Sequence, residues 1–155
     1  MKKKKQKQEL YKFVFILLRI FTGMVFLVAS IDKIINPEIF ANLVNNYKIL
    51  PYPYINIFAI ILPWIEALSG LFLITGFWPK GSILIYNSFM IIFIIALSSV
   101  LYRNLDISCG CFTISPDADK DIIHSLIRDI FLLIPGIILL SYEYYKQKVD
   151  QQIFI

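Results

Sequence analysis

Four apolar stretches, 13–31, 54–75, 82–102 and 122–142, alternate with short polar segments along the chain. None of them alternates apolar with polar positions at the two-residue period of a barrel strand, and each is close to the roughly 20 residues that carry a helix across hydrocarbon. The predicted fold class is all-α, an integral membrane four-helix bundle. The four spans form one domain over 1–155.

The breaks between the stretches are as informative as the stretches themselves. The first carries Arg19 about two turns in, where its side chain can snorkel to the surface, and offers Gly23 and Ala29 as small faces for close helix packing. It is expected to stop at Asp32-Lys33, with Asn36-Pro37 breaking the helix. Between 37 and 53, Ile39, Phe40, Leu43, Val44 and Tyr47 recur at helical spacing, opposite Glu38, Asn42, Asn45 and Asn46. This segment is too short to span, so it predicts a short amphipathic outer helix at the interface, ended by Leu50-Pro51-Tyr52-Pro53. Pro63 is expected to kink the second span, and the Gly76–Lys80 turn makes spans two and three antiparallel neighbours. The third span has no charge. The fourth carries His124, Arg128 and Asp129 in its first two turns and ends in Tyr142, Tyr144 and Tyr145, an aromatic belt.

Composition reinforces the pattern. Of 155 residues, 58% are hydrophobic and 17% charged, against about a quarter charged in soluble domains. The net charge of +4 does not point to nucleic acid, because Lys2, Lys3, Lys4, Lys5, Lys7 and Lys12 crowd the first dozen residues. A basic terminus beside an apolar helix is a topology signal that also meets anionic lipid, so the bilayer is the expected partner and nucleic acid is not. A cleaved signal peptide is the weaker reading, since no small-residue cleavage site follows. Counting the flanks, one side holds those six lysines with Lys80, Lys146 and Lys148; the other holds Lys33, Lys48, Arg103 and Lys120. Nine against four predicts both termini on the cytoplasmic face of a bacterial inner membrane.

That orientation sends the segment between spans three and four outside, and it holds both cysteines, Cys109 and Cys111, around Gly110. Inert thiols, a structural bridge, a metal site and redox exchange are the candidate roles. A bridge across three residues restrains little, about 1.6 kcal/mol by loop entropy before strain. A metal wants three or four ligands, and His124 is the chain's one histidine. Redox exchange is the favoured role: small strained rings are labile, and disulfides persist outside the cytoplasm. Among the ionisable residues, Arg103, Arg128 and Asp129 are expected near the outer surface and Arg19 near the inner one. Glu66 lies about halfway along its helix, either as a functional carboxylate or as half of an interhelical ion pair. Tyr47, Trp64 and Phe112 are a weak signal for a quinone pocket.

Arg19-Ile20-x-x-Gly23-x-Val25-Phe26-Leu27, followed by Asp32-Lys33-Ile34-x-x-Pro37-x-x-Phe40, resembles the opening of the DoxX superfamily of small membrane proteins. Asn46-Tyr47-x-Ile49-Leu50-Pro51, Leu62-Pro63-Trp64-x-Glu66-x-x-x-Gly70 and Cys109-Gly110-Cys111-Phe112 add a resemblance to its MauE branch, the MauE/DoxX redox-associated membrane proteins. The resemblance covers roughly 18–138. It implies extracytoplasmic thiol chemistry beside a thioredoxin-like or disulfide-rich partner, in support of methylamine dehydrogenase for the namesake, and quinone as an electron carrier in other superfamily members. On that reading the candidate site residues are Cys109, Cys111, Glu66, His124 and Arg128. The alternatives are a non-enzymatic anchor or maturation subunit and, less favoured, a transporter with Arg19, Glu66 and Asp129 along its path.

Overall fold

The computed structural model describes residues 2–103 and 122–153, with side-chain surroundings defined for 9–103 and 122–147. Among the described residues five helices follow in order: α1 (Lys2–Ile35), α2 (Pro37–Asn46), α3 (Tyr52–Thr75), α4 (Pro79–Tyr102) and α5 (Ile122–Ile153). Four contain segments long and apolar enough to cross a membrane: Glu9–Ile35, Tyr52–Thr75, Pro79–Tyr102 and Ile122–Gln147. Many large apolar side chains on these helices, among them Phe21, Ile60, Ile95 and Phe131, point outward. In water they would be a liability; in lipid they are the solvated surface. The fold is an all-α membrane bundle with the short α2 between the first two spans, as the pattern predicts.

One expectation needs correcting. The first helix carries on past the end of the apolar span at Asp32-Lys33 to Ile35 and breaks at Asn36-Pro37 as expected, with Pro37 opening the next helix. Lys33 is therefore not a flanking charge; it lies 1% exposed inside the bundle. Asp129, in the first two turns of α5, is likewise 1% exposed inside the bundle. Pro63 leaves α3 one continuous helix and sits buried within it.

Breakers set the helix ends. Pro37 starts α2 at a position where its missing N–H costs nothing, and Pro51 precedes α3 in an extended conformation (φ −62°, ψ 141°). Gly76 closes α3 with φ +76°, its N–H donating to the Phe72 carbonyl at 2.9 Å. On α2, Phe40 is buried and Leu43, Val44 and Tyr47 half-buried, with Glu38, Asn42 and Asn46 exposed; Ile39 departs from the expected face and is exposed.

α1 makes its most extensive contact with α3, and α4 with α5. The α1–α3 contact depends on two glycines: a Cβ on Gly23 would lie 2.7 Å from the Gly70 carbonyl oxygen, and one on Gly70 2.8 Å from that of Gly23. The backbones touch there, as small-residue packing in membranes permits. The α4–α5 contact uses polar ties instead: the Tyr86 hydroxyl donates to the Leu132 carbonyl at 2.7 Å and Asn87 Nδ2 to that of Gly136 at 3.0 Å. Phe26, Leu73, Ile83, Tyr86, Met90 and Leu139 bring all four long helices into one core.

Candidate functional site

The charges that the sequence scatters over α1, α3 and α5 converge inside the bundle, towards its α2 end. Lys33 Nζ lies 2.9 Å from Glu66 Oε2 and 3.1 Å from Oε1, with both side chains 1% exposed. The ammonium also sits over the rings of Phe40 (5.4 Å) and Phe93 (5.3 Å), so aromatic faces from α2 and α4 complete its surroundings. Two carboxylate oxygens and two ring faces replace the water that this cation gives up.

Asp129 is less well satisfied. Arg128 Nε and Nη2 each reach its Oδ1 at 3.3 Å, long for charge-assisted bonds, and that guanidinium is itself 25% exposed. Oδ2 is buried with no hydrogen-bond partner among the described residues. Glu66 and Asp129 both line one small cavity of about 10 Å³, walled by Phe26, Ala29, Met90 and Phe93. The charge of Lys33 is felt at Asp129 as well as at Glu66.

Tyr47 closes this end. Its phenol is pushed above its ordinary value, first by burial and then by the Asp129 charge, with Arg128 acting in the opposite direction. Its backbone is clamped from α4: the Arg103 guanidinium donates to the carbonyls of Tyr47 and, at 3.4 Å, of Lys48. Tyr47, Ile122 and Leu126 pack around the buried Leu97. Side chains of α4 and α5 therefore meet Tyr47, just past the C-terminal end of α2.

A second, larger cavity of about 170 Å³ lies between α2, α3 and α4, walled by residues that include Phe40, Val44, Phe58, Leu62 and Ile92. Among the described residues Tyr47 supplies its one polar side chain. It suits a hydrocarbon chain better than a quinone head, which needs several polar partners. Trp64 does not line it; its side chain is 55% exposed on the outer face of α3.

Of the candidate site residues, Glu66 and Arg128 belong to the converging cluster. His124 is exposed in the first turn of α5 and is not drawn into it. Cys109, Cys111 and Phe112 lie outside the described residues. Arg19 is at the opposite end of the bundle, its guanidinium against Gly76. The sequence reading missed Lys33 and undervalued Asp129. A signal existed for Lys33: a basic residue within helical continuation of an apolar span, with one unexplained acid, Glu66, on the next long helix.

The family model described as "Methylamine utilisation protein MauE" matches residues 11–142. A relative from Paracoccus denitrificans, named "Methylamine utilization protein MauE", is 30% identical over 96 residues, covering 61% of this chain and 52% of the relative. The chain thus spans about half the length of the curated relative it matches. No solved structure matches.

Proposed function

The chain belongs to the MauE family, and from that premise we propose that it is a membrane-embedded thiol–disulfide redox protein. Its Cys109–Gly110–Cys111 pair exchanges with an extracytoplasmic thioredoxin-like or disulfide-rich protein. The observation that supports the reading is where the ends of the cysteine segment lie: the chain leaves α4 at Arg103, whose guanidinium donates to the Tyr47 and Lys48 carbonyls just after α2, and enters α5 at Ile122, which packs with Tyr47 against Leu97. Two ends fixed at one side of the bundle suit a segment that meets a docking partner.

The exchange balances as follows. One thiolate of the pair attacks a partner disulfide sulfur, forming a mixed disulfide and expelling one partner thiolate. The second thiolate attacks the mixed disulfide, closing the Cys109–Cys111 bridge and releasing the partner as a dithiol. Two electrons pass to the partner, and the two thiol protons of the pair end on the partner's sulfurs. The reverse reaction runs through the same intermediate. Arg103, at the start of the segment, supplies a cation that favours the attacking thiolate; Arg128 supplies less, being partly neutralised by Asp129. His124, exposed one turn before Arg128, is the proton acceptor on this side. Onward passage of electrons to a quinone would use the α2–α3–α4 cavity for the isoprenoid tail.

The proposed setting is the bacterial cytoplasmic membrane with both termini inside. Removing the buried Lys33 from the flanks sharpens the charge bias that supports it, to nine against Lys48, Arg103 and Lys120. The name of the Paracoccus denitrificans relative makes methylamine utilisation the proposed physiological context.

Alkylation trapping of the two thiols in isolated membranes, across a series of redox poises, tests the reading. A dithiol–disulfide transition within that series is expected; a pair that never changes state overturns it. Replacing both cysteines with serine is expected to abolish maturation of the partner. Full retention would leave the anchor role as the function.

A further inference from the structure

We infer that Glu66 and Asp129 form an internal proton-transfer site, bridged by one water molecule and held by Lys33. The inference stands apart from the thiol reading and would survive its loss. Two carboxylates from different helices, α3 and α5, line a cavity whose size of about 10 Å³ is the room one water needs. Such a water also needs two to four polar partners. Glu66 and Asp129 both line this cavity, and Asp129 Oδ2 is a buried oxygen without a hydrogen-bond partner among the described residues. The apolar side chains of Val25, Phe26, Ala29, Met90 and Phe93 form the rest of the wall.

The occupant is a water carrying an exchangeable proton, not a metal cation. The place a cation would take beside Glu66 is already filled by the Lys33 ammonium at 2.9 Å. Alkali or alkaline-earth ions also ask for six or so oxygen ligands, which apolar walls cannot provide. The groups facing Asp129 are drawn from every packed element: Lys33 on α1, Tyr47 after α2, Glu66 on α3, Tyr86 on α4 and Arg128 on α5 itself. Both carboxylates line the one cavity, so a proton on either can pass to the other through a water that both contact. Proton relays inside membrane proteins are built from such interior acids.

Infrared difference spectroscopy on the full-length protein in lipid nanodiscs, titrated with acid and base, tests this. The expected result is a carboxylic-acid carbonyl band that shifts in deuterium oxide, disappears in Asp129→Asn and moves in Glu66→Gln. Should Asp129→Asn fail to fold, Asp129→Glu is read instead, and the band is expected to move. Absence of the band, its persistence unchanged in the Asp129 variants, or its indifference to Glu66→Gln overturns the shared site.

Discussion

The two ends of the α1–α3 pair treat buried charge in opposite ways. Near the α3–α4 turn, Arg19 lies half-buried with its guanidinium against Gly76, the residue that closes α3. There the dipole of α3 ends negative, which favours a cation, while Arg19 Nε is buried without a hydrogen-bond partner among the described residues. Towards α2, Lys33, Glu66 and Asp129 are each 1% exposed, and the ammonium depends on the carboxylate and aromatic rings placed around it by other helices. A charge at a helix end is accommodated by local structure. Deep in the bundle it is accommodated only by tertiary structure, and so reports on whether that structure is intact.

The largest effect therefore falls on Lys33. Lys33→Met leaves the Glu66 carboxylate buried without its counter-charge, a change worth about 3–5 kcal/mol when one partner of a buried pair is removed. Thermal unfolding in detergent is expected to show a large drop for the single variant and substantial recovery in Lys33→Met/Glu66→Leu, where the pair is replaced by apolar side chains. A single variant as stable as the parent would erase the contrast between the two ends.

Between the ends lies the Gly23–Gly70 contact, and it decides whether both charge sites keep their geometry. Gly23→Val places methyl groups where even a Cβ would be 2.7 Å from the Gly70 carbonyl and 2.8 Å from Ile74 Cγ1. Overpacking of this kind costs about 1–3 kcal/mol. Because α1 must then move off α3, the Lys33–Glu66 pair is expected to loosen as well. In a double-mutant cycle the Lys33–Glu66 coupling should shrink in the Gly23→Val background; an unchanged coupling would show that the pair holds itself together.

How much of this was legible in the sequence follows the same division. Helix count, the α2 segment and the turn at Gly76 depend on local signals, namely apolar length, period and breakers, and the structure carries all of them. Gly23 was legible as a small residue on a helix face. The convergence of Lys33, Glu66 and Asp129 was not, because it depends on the rotation of three helices about their axes, which one chain's apolar pattern leaves open when lipid and core are equally greasy. Counting Lys33 among the flanking charges was the natural error: charges usually mark the membrane edge, and here one of the Asp32-Lys33 pair turns inward.

At the Arg19 end, Gly76→Ala has two consequences. The φ of +76° puts an L side chain in the left-handed region, at about 1–2 kcal/mol, and the new methyl would meet the Arg19 guanidinium at 2.8 Å. Stability is expected to fall by about that amount, less than for Lys33→Met, with the Lys33–Glu66 coupling unaffected. Removing Arg19 together with Gly76 in Arg19→Gln/Gly76→Ala relieves the steric part only; a full rescue would mean that backbone strain contributes nothing.

The smallest effect separates the two ends by mechanism. Arg19→Gln removes a cation whose favourable environment is a helix terminus, a contribution of about 0.3–1 kcal/mol at low ionic strength. Salt screens charges near solvent and reaches interior pairs much less. Raising the salt concentration should therefore narrow the stability gap between the parent and Arg19→Gln while leaving the larger gap for Lys33→Met in place. Paired unfolding curves at low and high salt read both variants in one experiment. If the Lys33 gap also closes with salt, the ammonium is reached by solvent, and the interior of the bundle is wetter than a site of 1% exposure implies.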